Sequence, residues 1–110
     1  MRELESYTFV LLRRPASAPS IGEAEAAELQ ERHLAHLDEL AAAGKLLGAG
    51  PFSDQPDESL RGLCFFATTV AEARELMQRD PSVQAGRLEP EVMTWWTPKG
   101  AVSFHRPAIA

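Results

Sequence analysis

Residues 20–44 read SIGEAEAAELQERHLAHLDELAAAG, and the rest of the chain is parsed from this stretch outward. Ser20 offers a helix cap, and Glu23 three residues on completes a capping box. Ala24 to Ala43 contains neither Gly nor Pro, and Gly44 stands where helices commonly close. At the helical period Ala26, Leu29, His33, His36, Leu37 and Leu40 share one stripe, while Glu28, Glu31, Asp38 and Glu39 lie off it. The spacing predicts an amphipathic helix that turns two histidines inward with its leucines.

On the N-terminal side, Tyr7 to Leu12 is apolar at every second position on both faces, the pattern of a central strand. Pro15 and Pro19 punctuate the loop that follows. On the C-terminal side, Lys45 to Phe52 reads as a strand in which Gly48 and Gly50 allow close approach of a ligand or another backbone. Ser53 to Ser59 is a polar turn, and Leu60 to Thr68 returns as the second arm of a hairpin. Thr69 caps a second helix, with Glu72 three residues on, running to about Arg79. Asp80-Pro81-Ser82-Val83 breaks that helix and opens a short turn with Pro81 in its first position, closed by Gly86. Arg87 to Trp96 is the last strand, and Thr97 to Gly100 is a turn. Ala101 to Ala110 is either a tail or an added edge strand.

The order β-α-β-β-α-β predicts an α+β, ferredoxin-like layer: an antiparallel sheet with its helices on one face, formed by residues 1–100 as one domain. A strand apolar on both sides then leaves the other sheet face in need of cover. A second copy, sheet against sheet, supplies it most economically, so a homodimer is expected.

Composition narrows the function. A chain of 110 residues has room for one core. A net charge of −5 disfavours nucleic acid or an anionic membrane as partner, and an acidic ligand would need a local cluster of donors. No apolar run approaches membrane-spanning length, the first five residues are unlike a signal peptide, and the single Cys64 precludes an internal disulfide. A cytoplasmic location is expected. Cys64 lies in the apolar run from Gly62 to Ala67, a setting for core packing rather than for a thiolate nucleophile.

Three segments carry a family resemblance. Arg32-His33-Leu34-Ala35-His36-Leu37, then Gly44-Lys45-Leu46-Leu47-Gly48-Ala49-Gly50-Pro51, then Asp80-Pro81-Ser82-Val83-Gln84-Ala85-Gly86 before an acidic strand ending in Trp95-Trp96, together resemble the YCII-related (YciI-like) domains. The likeness runs from about Ser6 to Pro98. It implies a ferredoxin-like fold that forms a dimeric α/β barrel, with an active site of one histidine and one aspartate, by position His33 and Asp80. The family's role is mostly unassigned, and one branch is associated with eliminating chloride from chlorinated hydroxyhydroquinones. His36 and the tail beyond Gly100 are outside the family pattern.

The residues support the same pair on chemical grounds. An inward histidine needs a partner for its ring N–H, and an aspartate both supplies it and selects the tautomer, leaving the other nitrogen to move protons. Asp80 has a competing reading, as the cap of the turn that follows it. His36, one turn from His33, is expected to line the pocket or the core. The two histidines lack the further ligands zinc needs, with His105 in the tail and Cys64 in a strand. Gly50 and Pro51 suit a pocket wall, and Ser53 and Tyr7 have hydroxyls suited to orienting a substrate. Arg13 and Arg14 are placed to meet an anionic group or simply to be solvated. Trp95 and Trp96 alternate across their strand, so one meets the helices and the other the open sheet face. There is no glycine-rich phosphate loop and no serine elbow, so neither a nucleotide cofactor nor an acyl-enzyme is expected.

Two functions remain: a cofactor-independent lyase or isomerase acting on a small cyclic or aromatic molecule, and a non-catalytic dimeric domain that binds a small ligand or a protein. Open space beside His33 separates a working site from a packed structural pair.

Overall fold

The structure is a computed structural model that describes residues 2–105. Its elements are β1 (Leu4–Arg13), α1 (Glu23–Ala42), β2 (Leu46–Pro51), β3 (Leu60–Phe66), α2 (Val70–Gln78), α3 (Pro81–Gln84) and β4 (Glu89–Pro98). The sheet order is β2-β3-β1-β4 with every neighbouring pair antiparallel, which is the ferredoxin-like topology. No described helix is long and apolar enough to cross a membrane.

Alternation along the strands divides the sheet into two unlike faces. Thr8, Val10 and Leu12 of β1 and Gly62, Cys64 and Phe66 of β3 are buried beneath the helices. Val10, Leu12, Cys64 and Phe66 meet Leu37 and Leu40 of α1 and Ala73, Leu76 and Met77 of α2 in one core. The other face carries Tyr7, Phe9 and Leu11, their cross-strand partners Phe65 and Leu63, and Glu91, Met93 and Trp95 of β4. The sheet partners of Tyr7 and Trp95 belong to this uncovered side, and Phe104 of the tail lies across it, 5.1 Å from the Tyr7 ring and 5.4 Å from Phe65. Residues 101–105 form no strand, and the expectation for 106–110 lies outside the described residues.

Helix ends follow their local chemistry, with one correction. α1 begins at Glu23 with Gly22 as its cap and no side-chain cap hydrogen bond, so Ser20 does not serve as the cap. The helix starts two residues too late for Ser20 to reach its free N–H groups. The C-terminal end of α1 closes as expected. Gly44 takes φ +76, and the amides of Lys45 and Gly44 donate back to the carbonyls of Leu40 and Ala41. Thr69 caps α2, its hydroxyl accepting from the Glu72 amide at 3.1 Å. β4 runs two residues further than its pattern suggests, to Pro98, because Thr97 and Pro98 continue to pair with Glu5 and Leu4 of β1.

Candidate active site

His33 occupies the inward stripe of α1 and is 7% exposed. The break after α2 brings Asp80, fully buried, against it as the residue that opens α3, which packs on α1. The two readings of Asp80 are not alternatives, because its two oxygens divide the work. Oδ1 lies 2.7 Å from His33 Nδ1, while Oδ2 accepts from the amides of Ser82 at 3.1 Å and Val83 at 3.2 Å. A carboxylate can only accept here, so Nδ1 carries the hydrogen and Nε2 is the nitrogen left for chemistry. The capping bonds hold the carboxylate, and the carboxylate holds the ring. Nε2 has no protein partner, yet no buried side-chain polar atom is without one among the described residues, so Nε2 keeps access to open space.

That space is a cavity of about 650 Å³ between α1, the β2–β3 hairpin and the segment after α3. Its volume falls in the range of small-molecule sites. His33, Gly50 and Pro51 line it, with Leu29, Leu37 and Phe52 as apolar wall. Gly62 forms part of the floor where β3 passes β2, and a Cβ there would stand 2.6 Å from the Gly50 carbonyl oxygen. Cys64 also borders the cavity from beneath, fully buried, and burial with the nearby Asp80 charge pushes its thiol up to about 12. It is held as an unreactive thiol.

Three expected pocket residues lie elsewhere. Tyr7 projects from the uncovered sheet face, because its odd position in β1 alternates away from Thr8 and Val10, and its hydroxyl donates to Glu5 Oε1 at 3.3 Å. Ser53 is exposed in the hairpin loop and is not part of the lining. His36 is half-buried outside the cavity, where its Nε2–H donates to the Leu76 carbonyl at 3.0 Å and ties α1 to the end of α2. Among the described residues no group of three or more His, Cys, Asp or Glu side chains is placed to hold a metal ion.

Other lining residues carried no clear signal in the sequence. Gln30, Gln55 and Ser82 add polar groups, and Arg61 and Arg87 join Arg14 at the wall. Arg13 and Arg14, adjacent in the chain, part company. Arg13 lies on the uncovered face in ion pairs with Glu91 at 2.9 Å and Asp57 at 3.1 Å, whereas Arg14 turns to the cavity side.

Comparison with known proteins agrees with this architecture. No match was found among curated protein sequences. Among solved structures, the fold is similar to that of 5-chloro-2-hydroxyhydroquinone dehydrochlorinase (TftG) from Burkholderia phenoliruptrix AC1100, in complex with 2,5-dihydroxybenzoquinone. The TM-score is 0.52 at 24% sequence identity, over 80% of this chain and 92% of that one. The sequence profile of the YCII-related domain matches residues 7–96, which include every element from the middle of β1 to Trp96 of β4 and both members of the His33–Asp80 pair. The chain belongs to the YCII-related domain family.

Proposed function

We propose that this protein is a lyase or isomerase acting on a small cyclic or aromatic molecule by acid–base chemistry that needs only its own side chains. One observation carries the reading: the imidazole held at Nδ1 by a buried carboxylate presents an unpartnered Nε2 to a cavity of about 650 Å³. A purely structural pair would be packed over, and a binding domain without chemistry has no need of a free imidazole nitrogen in its pocket. The similar fold of a dehydrochlorinase solved in complex with 2,5-dihydroxybenzoquinone supports a ring compound as the ligand class.

In this mechanism Nε2 of His33 takes a proton from the bound ring compound. Asp80 stabilises the imidazolium that forms and keeps the ring from rotating. The proton then returns to another atom of the same molecule in an isomerisation, or leaves with the departing group in an elimination. The apolar walls from Leu29, Leu37 and Phe52 limit water in the cavity.

We also infer that the uncovered sheet face is covered by a second copy of this chain. Its centre is apolar, with Phe65 in ring contact with both Phe9 and Trp95, and its edge holds the Arg13 ion pairs, the arrangement of a dry interface core with a charged rim.

The test is turnover of hydroxylated and chlorinated hydroquinones by wild type, His33→Ala and Asp80→Asn, with ligand binding followed by thermal shift. His33→Ala should lose about 10²–10⁴-fold in rate while still binding ligand. Asp80→Asn should fold and lose rate, since an amide can hold the imidazole in the wrong tautomer. Unchanged turnover in His33→Ala would sink the mechanism.

A further inference from the structure

The chain has a net charge of −5, yet the wall of this one cavity contains three arginines and no carboxylate. Arg14 follows β1, Arg61 belongs to β3, and Arg87 lies between α3 and β4, so three separate segments bring positive charge to one place. None of the three has an ion-pair partner among the described residues, whereas Arg13, Lys45, Arg79 and Lys99 all do. The bonds they do make are to backbone. Arg14 Nε reaches the Arg87 carbonyl at 3.5 Å, and Arg87 Nη1 donates to the Pro19 carbonyl at 2.6 Å, which fixes the two guanidinium groups without neutralising them.

Arg61 owes its place to an irregularity. Leu12 pairs with Gly62 but Arg13 pairs with Leu60, so Arg61 is the extra residue at a bulge between β1 and β3. Bulges re-aim a side chain out of strict alternation. Arg61 makes no side-chain hydrogen bond and lines the cavity with the other two. Their mutual repulsion is felt at Arg14, whose pKa is lowered by burial and by the charges of Arg61 and Arg87. Like charges gathered without a counter-ion cost stability, and the group that relieves the cost is an anion in the space between them.

We propose that the cavity takes its cyclic substrate as an anion, with a carboxylate or other ionised oxygen on the ring held by Arg14, Arg61 and Arg87 while the ring lies against His33. This rests on the reading of the cavity as a substrate site and names the class of molecule that enters it. Guanidinium groups bind such oxygens through paired, charge-assisted hydrogen bonds, stronger than neutral ones and directional enough to set which ring atom faces Nε2. The same charges would stabilise negative charge that develops on a ring oxygen when His33 removes a proton.

Calorimetric titration of the wild-type protein with three ring compounds provides the test. Hydroquinone is neutral, 2,5-dihydroxybenzoate is the same ring with a carboxylate, and 2,5-dihydroxybenzoquinone is a vinylogous acid ionised at neutral pH. Both anions should bind at least about tenfold more tightly than hydroquinone, and added salt should weaken only the anions. Arg61→Gln, which removes no internal hydrogen bond, should weaken the anions about tenfold and leave hydroquinone unchanged. Tighter binding of one anion class distinguishes a carboxylate from an ionised ring hydroxyl as the group recognised. Equal binding of neutral and charged rings, binding of none of them, or an Arg61→Gln variant indifferent to charge would overturn the assignment. Because binding is read without turnover, the two claims fail separately. Anion selectivity with full activity in His33→Ala would remove the proton transfer and keep the arginine site, and active enzyme with no charge preference would do the reverse.

Discussion

The two faces of the sheet are built from alternate residues of the same strands, and they differ in how far the described residues cover them. On the helix side Val10, Cys64 and Phe66 are fully buried with Met77, and the polar groups among them are satisfied: Thr8 Oγ1 donates to the Thr68 carbonyl at 2.6 Å, and Asp80 spends both oxygens. On the other side Met93 and Trp95 are 42% and 36% exposed, and the described tail contributes only Phe104 to cover the aromatic cluster. The helix face opens at the cavity beside His33. A face finished within the chain can afford an opening with precise polar groups, because the surrounding core holds their geometry. A face left unfinished presents shape and apolar area, which suits association rather than chemistry.

The largest test of that contrast is Asp80→Ala. It strands the His33 Nδ1–H and the amides of Ser82 and Val83 inside the protein, at about 1–3 kcal/mol for each buried donor left unpaired. A loss above about 3 kcal/mol in urea unfolding is expected, and a change within about 0.5 kcal/mol would show that the helix face does not depend on this carboxylate.

The open face is broken differently. Trp95→Ala should weaken self-association by about 2 kcal/mol or more, seen as a shift in light scattering from twice the 12.1 kDa chain mass toward the single chain. Trp96→Ala, at a position 60% exposed on the opposite side of β4, should leave association unchanged. If both variants behave alike, the aromatic face is not the interface.

Gly62→Ala sharpens the comparison from within the helix face. The added methyl would meet the Gly50 carbonyl oxygen at 2.6 Å, so β2 must move away from β3 at the cavity floor. Overpacking of this kind costs about 1–3 kcal/mol, readable as a lowered unfolding midpoint, and should leave self-association intact.

The smallest expected effect is the absence of one. Cys64, its thiol pushed up to about 12, should resist iodoacetamide in the native protein at pH 8 and react after denaturation. Rapid native labelling would mean that the core under the cavity opens, and that the two faces are less unlike than their burial suggests.

How much of this is legible in the sequence depends on the range of the interaction involved. The α1 stripe, the Gly44 closure, the Thr69 cap and the Pro81 turn are settled by groups within a few residues of one another, and each is found where its local pattern places it. The α1 start failed on the same scale, since Gly22 in extended conformation serves without a side-chain acceptor and Ser20 goes unused. Tyr7 shows the next limit. Alternation says that it faces opposite to Thr8, but nothing local says which face the helices cover. His36 shares the stripe with His33, and only the position of α2 gives it a carbonyl instead of a cavity.

By itself, then, the sequence determined the element order, the ferredoxin-like class and the inward placement of His33, because periodicity and capping act through neighbours in the chain. Tertiary structure alone decided that Asp80 grips His33 and caps α3 at once, that Arg13 is ion-paired while Arg14 is not, and that Arg61 and Arg87 join it at the same wall. Those arrangements join residues far apart in the chain, with Arg13 and Glu91 paired across a sequence separation of 78 and Arg14 and Arg87 linked across 73. The bulge that frees Arg61 exists only in the register between β1 and β3. A cavity is the space left over when helices and sheet pack, so no single segment encodes it.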